Sequence, residues 1–172
     1  MCHWIDTPSH GYLHLSPTEL KRIPEFARRP SYEEDCEYTI AVVALPEIVS
    51  QKSYGISPEK TGEHIQNARR VCRDWYPDIY AQLTGETVTP ANSRKLAKRK
   101  FHEDHAGDYV VICALGDHSH KYKGFVLCEG AKGGDHRSPD HKNFLVENDE
   151  YIIGLFGYVI QPGDLELSNQ PT

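Results

Sequence analysis

The stretch HEDHAGDYVVICALGDHSHKYKGFVLCEG, His102 to Gly130, changes from helical texture to strand texture at Gly107. Before it, Leu96, Ala97 and Phe101 form a thin apolar side on a charged helix that starts at Thr89-Pro90. After it, DYVVICAL and GFVLCEG are β-rich runs separated by the polar GDHSHKYK, which predicts a hairpin. NFLV and YIIGLFGYVI predict two further strands, with a turn at Glu147 to Glu150 between them. The glycine-rich AKGGDHRSPDHK predicts a long surface loop before NFLV.

Upstream, the spacing is mostly helical. In YLHL, Tyr12 and His14 alternate with Leu13 and Leu15, a short strand by period, and Ser16-Pro17-Thr18-Glu19 opens a helix. Ser31-Tyr32-Glu33-Glu34 has the form of a capping box. The CEYTIAVVAL that follows fits a helix through Tyr32, Cys36, Ile40 and Val43, with a strand as the alternative. Ser57-Pro58 starts a helix whose inner face is Ile65, Ala68, Cys72 and Trp75, and DIYAQL continues beyond Pro77 to Gly85. Helices first and strands afterwards predict an α+β fold. It has an antiparallel sheet of about four or five mostly C-terminal strands, possibly extended by the first strand and packed against three or four helices of the N-terminal half. One compact domain over residues 1–172 is expected, with a flexible polar tail after about residue 163.

The 172 residues carry a net charge of −6. No apolar run approaches the ~20 residues of a membrane span. The N-terminus has no basic segment followed by an apolar one, so a cytoplasmic location is expected. Five cysteines, Cys2, Cys36, Cys72, Cys113 and Cys128, are scattered without a CxxC pair, which fits reduced and mostly buried thiols. RKLAKRK concentrates Arg94, Lys95, Lys98, Arg99 and Lys100. Without these five, 14 basic residues face 25 acidic ones, a balance of −11.

Several constellations carry possible chemistry. His102 and His105 near a helix end, with His118 and His120 in the hairpin loop, could hold zinc in a tetrahedral site, or an open one with Asp104 and Asp117. The preferred reading needs no metal: the first pair complements a helix C-terminus and the second is an exposed turn. Asp135-His136-Arg137 and Asp140-His141-Lys142 offer proton carriers beside cations, though a solvated loop accounts for them. The five cations at 94–100 suit phosphates, a solvated face or a dimer contact. In an acidic protein, a protein partner ranks above nucleic acid. Glu33, Glu34, Asp35 and Glu37 suit a helix N-terminus, or, with Glu147, Asp149, Glu150, Asp164 and Glu166, an acidic surface facing a basic partner. No P-loop, dinucleotide fingerprint or nucleophile elbow occurs, so the common nucleotide, NAD and serine-hydrolase signatures are absent.

HGYL (His10–Leu13), RRPSYEEDCE (Arg28–Glu37), DWYPDIY (Asp74–Tyr80), LTGE (Leu83–Glu86) and HAGDYVV (His105–Val111), in that order, resemble a DUF7007-like family of small uncharacterised domains from bacteria, phages and plasmids. The resemblance spans about two thirds of the chain, from His10 to Phe125, and extends to the strand around FGYVI. It implies no reaction or ligand set, but it marks HGYL and SYEED as parts of one surface or core junction. A domain from a mobile element with this balance is similar to the small inhibitors used against host defence, anti-CRISPR proteins among them. The resemblance therefore implies a non-catalytic protein that occludes the basic nucleic-acid site of a host nucleoprotein complex. The basic helix would then dimerise or add a contact. The alternative is a metal- or histidine-dependent hydrolase acting on a nucleotide or nucleic acid.

Overall fold

The computed structural model describes residues 1–116 and 120–167. The fold is α+β, with five α-helices and two antiparallel sheets among the described residues. The chain divides into two compact units, Met1–Ala97 and Lys98–Thr172.

In the first unit, β1 (His3–Asp6), β2 (Gly11–His14) and the two-residue β3 (Tyr32–Glu33) form a sheet in the order β1-β2-β3. Strand β2 alternates as its sequence requires: Leu13 is fully buried, while Tyr12 and His14 are half-buried. Helices α1 (Pro17–Arg22), α2 (Tyr38–Ala44), α3 (Thr61–Trp75) and α4 (Pro77–Thr84) complete the unit. Its core gathers Leu13, Ile23, Tyr32, Ile40, Val42, Ile48, Ala68 and Cys72.

Ser16 starts α1 with the expected cap, and here the reciprocal box is complete: Glu19 N–H donates to Ser16 Oγ (3.3 Å) and Ser16 N–H to Glu19 Oε2 (2.8 Å). The capping box expected at Ser31 does not form. Tyr32 and Glu33 instead pair with β2, residues 34–37 turn, and α2 begins only at Tyr38. The β-branched TIAVV run is helical because Thr39 to Val43 are all buried, a helix enclosed on every side. Ala68 and Cys72 face the core from α3 as expected, but Trp75, its last residue, is 50% exposed. The packing passes to Tyr76, Pro77 and Tyr80 beyond it. Gly85 ends α4 in the left-handed region, φ 74°.

Helix α5 (Arg94–Asp104) starts after a turn at 90–92 rather than at Thr89. In the second unit, β4 (Tyr109–Ala114), β5 (Phe125–Lys132), β6 (His141–Glu147) and β7 (Leu165–Leu167) lie in sequence order, every pair antiparallel. Three expectations change. YIIGLFGYVI is not a regular strand: Gly154 and Gly157, the latter at φ 129°, close on each other in an isolated bridge, and only Val159 bridges to Val110. The fourth strand is Leu-Glu-Leu 165–167, in the segment expected to be a flexible tail, pairing with Asn143 to Leu145. The sheets are separate, so YLHL does not extend the C-terminal one.

All five cysteines are free, and Cys2, Cys72 and Cys128 are buried. No described helix is long and apolar enough to cross a membrane.

Glu19 ties the start of the first unit together. Its carboxylate also accepts from Gln51 Nε2 (2.6 Å), while Gln51 Oε1 accepts from Cys2 N–H (3.0 Å). Burial opposes ionisation, but the bonds from Gln51 and Ser16 and the nearby amino terminus prevail, lowering the carboxyl from near 4.5 to about 2. Because the folded value lies below the unfolded one, this stabilisation is present above pH 4.5 and lost as the pH falls toward 2. Glu19→Ala should cost about 2 kcal/mol at neutral pH, measured by urea unfolding, since it removes the box and leaves the half-buried donors of Ser16 and Gln51 unpaired. The difference from wild type should shrink below pH 4.5.

Candidate functional site

The turn Thr7-Pro8-Ser9-His10 joins β1 to β2, closed by Thr7 N–H to His10 C=O (2.9 Å) and locked by the Thr7 hydroxyl, which donates to the same carbonyl (2.6 Å). It sets His10 at the head of β2. Register then brings β3 alongside, with Tyr12 opposite Glu33 and Leu13 opposite Tyr32. The next residue continues the approach, as Glu34 N–H donates to Gly11 C=O (3.0 Å). HGYL and SYEED are thus one structure.

Tyr32 anchors it. Its fully buried ring carries a hydroxyl that donates to Ala27 C=O (3.2 Å) and accepts from Arg29 N–H (3.2 Å). Burial pushes this phenol up from its ordinary value. Around it the four acids have different surroundings. Glu37 is held back, accepting from Glu33 N–H (3.4 Å) and facing Arg29 Nε (3.5 Å). Glu33 lies 3.3 Å from His10 Nδ1. Glu34 and Asp35 are exposed, and Glu34 covers Gly11 so closely that a Cβ there would lie 2.3 Å from Glu34 Oε2.

Three of these side chains converge. The ligand atoms of His10, Glu33 and Asp35 all lie within 4.8 Å of one another, the one such group among the described residues. Bonds of about 2.1 Å allow at most about 4.2 Å between two ligand atoms on one ion, so the three side chains would have to close in slightly to share one. One imidazole and two carboxylates with room for water would suit zinc or manganese. In the sequence His10 stands just before the YLHL strand and in the HGYL motif, with no ligand role. Its proximity to SYEED depends on the β2–β3 register, and the signal for it is the family resemblance that carries both motifs.

A family model for a domain of unknown function, DUF7007, matches residues 2–106. The chain belongs to that family. No curated protein and no solved structure matches it. The DUF7007 match contains the whole His10–Glu37 cluster and ends before β4, so the C-terminal sheet lies outside it, and the match is shorter at that end than the resemblance to Phe125 and FGYVI.

The other expected site residues are dispersed. His102 Nδ1 contacts Gly133 C=O (2.8 Å) and His105 Nδ1 contacts Asp108 Oδ2 (2.8 Å), and neither joins a third possible ligand among the described residues. His118 lies outside the described residues, and His120 begins a 3-10 turn, His120–Tyr122. Arg94, Lys95, Lys98 and Arg99 are exposed without an ion pair among the described residues, whereas Lys100 bonds Asp104 (2.8 Å). In the 135–142 segment, Asp135 accepts from Arg137 N–H (3.0 Å) and Asp140 from the Tyr109 hydroxyl (2.5 Å). His141 and Lys142 belong to β6 rather than to the loop, bonded to Glu129 and Glu166. Glu147, Asp149 and Glu150 are exposed, and Asp164 accepts from Gln161 N–H (2.7 Å).

Tyr32→Phe should lower stability by about 1 to 2 kcal/mol in denaturant titration, because the ring still fills its site while one buried N–H and one C=O lose their partner.

Proposed function

We propose that this DUF7007 protein is a non-catalytic binding protein of phage or mobile-element type. It inhibits a host defence nucleoprotein complex by occluding a basic nucleic-acid-binding surface. The observation that supports this reading most is the acidic turn: Glu33, Glu34 and Asp35 follow one another on a backbone fixed by strand pairing at one end and by the buried TIAVV helix at the other. A charge array held by rigid elements meets a Lys/Arg-lined groove with little ordering cost, and its field speeds encounter. The exposed cations of α5 would supply a second contact or a dimer face. The cytosol of the host is the place such a partner would be met.

In a strain whose RNA-guided or restriction-type nuclease targets an incoming phage, wild-type protein should restore plating. Replacing Glu33, Glu34 and Asp35 together by lysine should abolish that rescue without changing the circular dichroism spectrum. Rescue by the folded triple variant equal to wild type would sink the reading.

The His10, Glu33 and Asp35 triad favours one alternative, a metal-assisted hydrolase acting on a nucleotide or nucleic acid. On this reading the protein binds manganese or zinc with about one ion per chain by isothermal titration. His10→Ala and Asp35→Asn each weaken that binding at least about tenfold, since each removes a ligand. Affinity unchanged in both variants eliminates the triad as a metal site.

A further inference from the structure

Sequence positions 66–73, QNARRVCR, put Arg69, Arg70 and Arg73 at i, i+1 and i+4 of α3, while Ala68 and Cys72 turn into the core. The arginines line a cleft of about 480 Å³ together with Gln66, with Tyr80 in the middle of α4 and with Glu86 just beyond its C-terminal end. The volume lies in the range of small-molecule sites.

Glu86, just past the left-handed Gly85, occupies part of this cleft with its carboxylate. One oxygen accepts from Arg69 Nη2 (2.6 Å) and the other from the Tyr80 hydroxyl (2.8 Å). Arg69 also stands over the Tyr80 ring, 5.8 Å from its centroid, which fixes the guanidinium in place. Arg70 is turned partly away, donating to Asn67 Oδ1 (2.8 Å) and lying 3.8 Å from Asp74. The unusual group is Arg73: its Nε is buried and has no hydrogen-bond partner among the described residues. A buried guanidinium donor left unpaired costs stability unless something else comes to meet it.

With Arg70 drawn toward Asn67 and Asp74, the guanidinium groups of Arg69 and Arg73 against the single carboxylate of Glu86 leave an excess of positive charge and of donors in one concave place. We infer that this cleft is a phosphate-binding site, with Arg69, Arg73 and the Tyr80 hydroxyl as donors and Glu86 as an internal anion that vacates the cleft when the ligand enters. A carboxylate offers two oxygens and one charge, as Glu86 already does. A phosphate monoester or diphosphate offers more oxygens and a second charge, which suits the remaining donors, and guanidinium forks match its geometry. The residues involved are distinct from the acidic turn, so this site stands or falls independently of the inhibitor reading.

The test is calorimetric titration of the full chain with inorganic pyrophosphate at fixed ionic strength, with AMP and inorganic phosphate as further probes. The expected result is saturable binding of one pyrophosphate per chain. Glu86→Gln should bind at least about tenfold tighter because the competing charge is gone, and the double variant R69M/R73M at least about tenfold weaker. AMP binding more tightly than inorganic phosphate would identify a nucleotide phosphate as the ligand, and equal affinity the phosphate group alone. Absence of saturable binding to both wild type and Glu86→Gln overturns the site even if R69M/R73M does not fold. So does a folded R69M/R73M that binds like wild type.

Discussion

Two cross-strand pairs, Leu13 with Tyr32 and Tyr12 with Glu33, hold the first unit in its arrangement. Leu13 and Tyr32 are both completely buried, so the pairing carries apolar area into the core while its outer neighbours stay wet. A slip of one residue would turn Tyr32 outward and drive Glu33 inward, exchanging a buried aromatic ring for a buried charge. That penalty is large enough to fix the register, and with it the position of every acid that follows. The hydroxyl of Tyr32 extends the constraint to the segment before it by bonding Ala27 and Arg29. Helix α2 extends it to the segment after.

This constraint explains why the cluster contains histidine. Glu33 is the residue opposite Tyr12, and His10 stands two positions before Tyr12 at the mouth of the β1–β2 turn. Both therefore lie near the open end of the same short sheet, where Glu34 also bends over Gly11. A side chain at position 11 would have to displace that carboxylate, so the small residue and the acid form one local solution. The family match, covering residues 2–106, includes all of these parts.

The first unit also separates its charges by role. Its turn acids are partly satisfied by Arg29 and His10 but present Glu34 and Asp35 to solvent. The arginines of α3 are instead gathered into a concave site, where Glu86 and Tyr80 meet only part of their donor capacity. The acidic array is spread along an outward turn, a geometry that suits an extended surface. The basic one is gathered in an open cleft, a geometry that suits a compact anion.

Although Ser57-Pro58 opens only the 3-10 turn Pro58–Lys60, without a side-chain cap, and α3 begins at Thr61, the sequence by itself determined the α+β class, the helix opening at Ser16, the stop at Gly85, and the β4–β5 hairpin pair. These depend on spacing and on local caps, which operate within a few residues. The resemblance to DUF7007 implied that HGYL and SYEED belong to one surface or core junction. Tertiary structure decided the rest. Ser31 has the residues of a capping box, yet burial of Tyr32 against Leu13 outweighs a cap, and the backbone extends instead. LEL joins a sheet because β6 offers an open edge, whereas the longer and more apolar YIIGLFGYVI is broken by two glycines that turn it back on itself. The histidines near Gly107 are close together in sequence, but His102 and His105 are bonded to different local partners. His10, solitary in the chain, acquires neighbours only through strand register, because proximity across the sheet is set by which faces are buried and not by distance along the sequence.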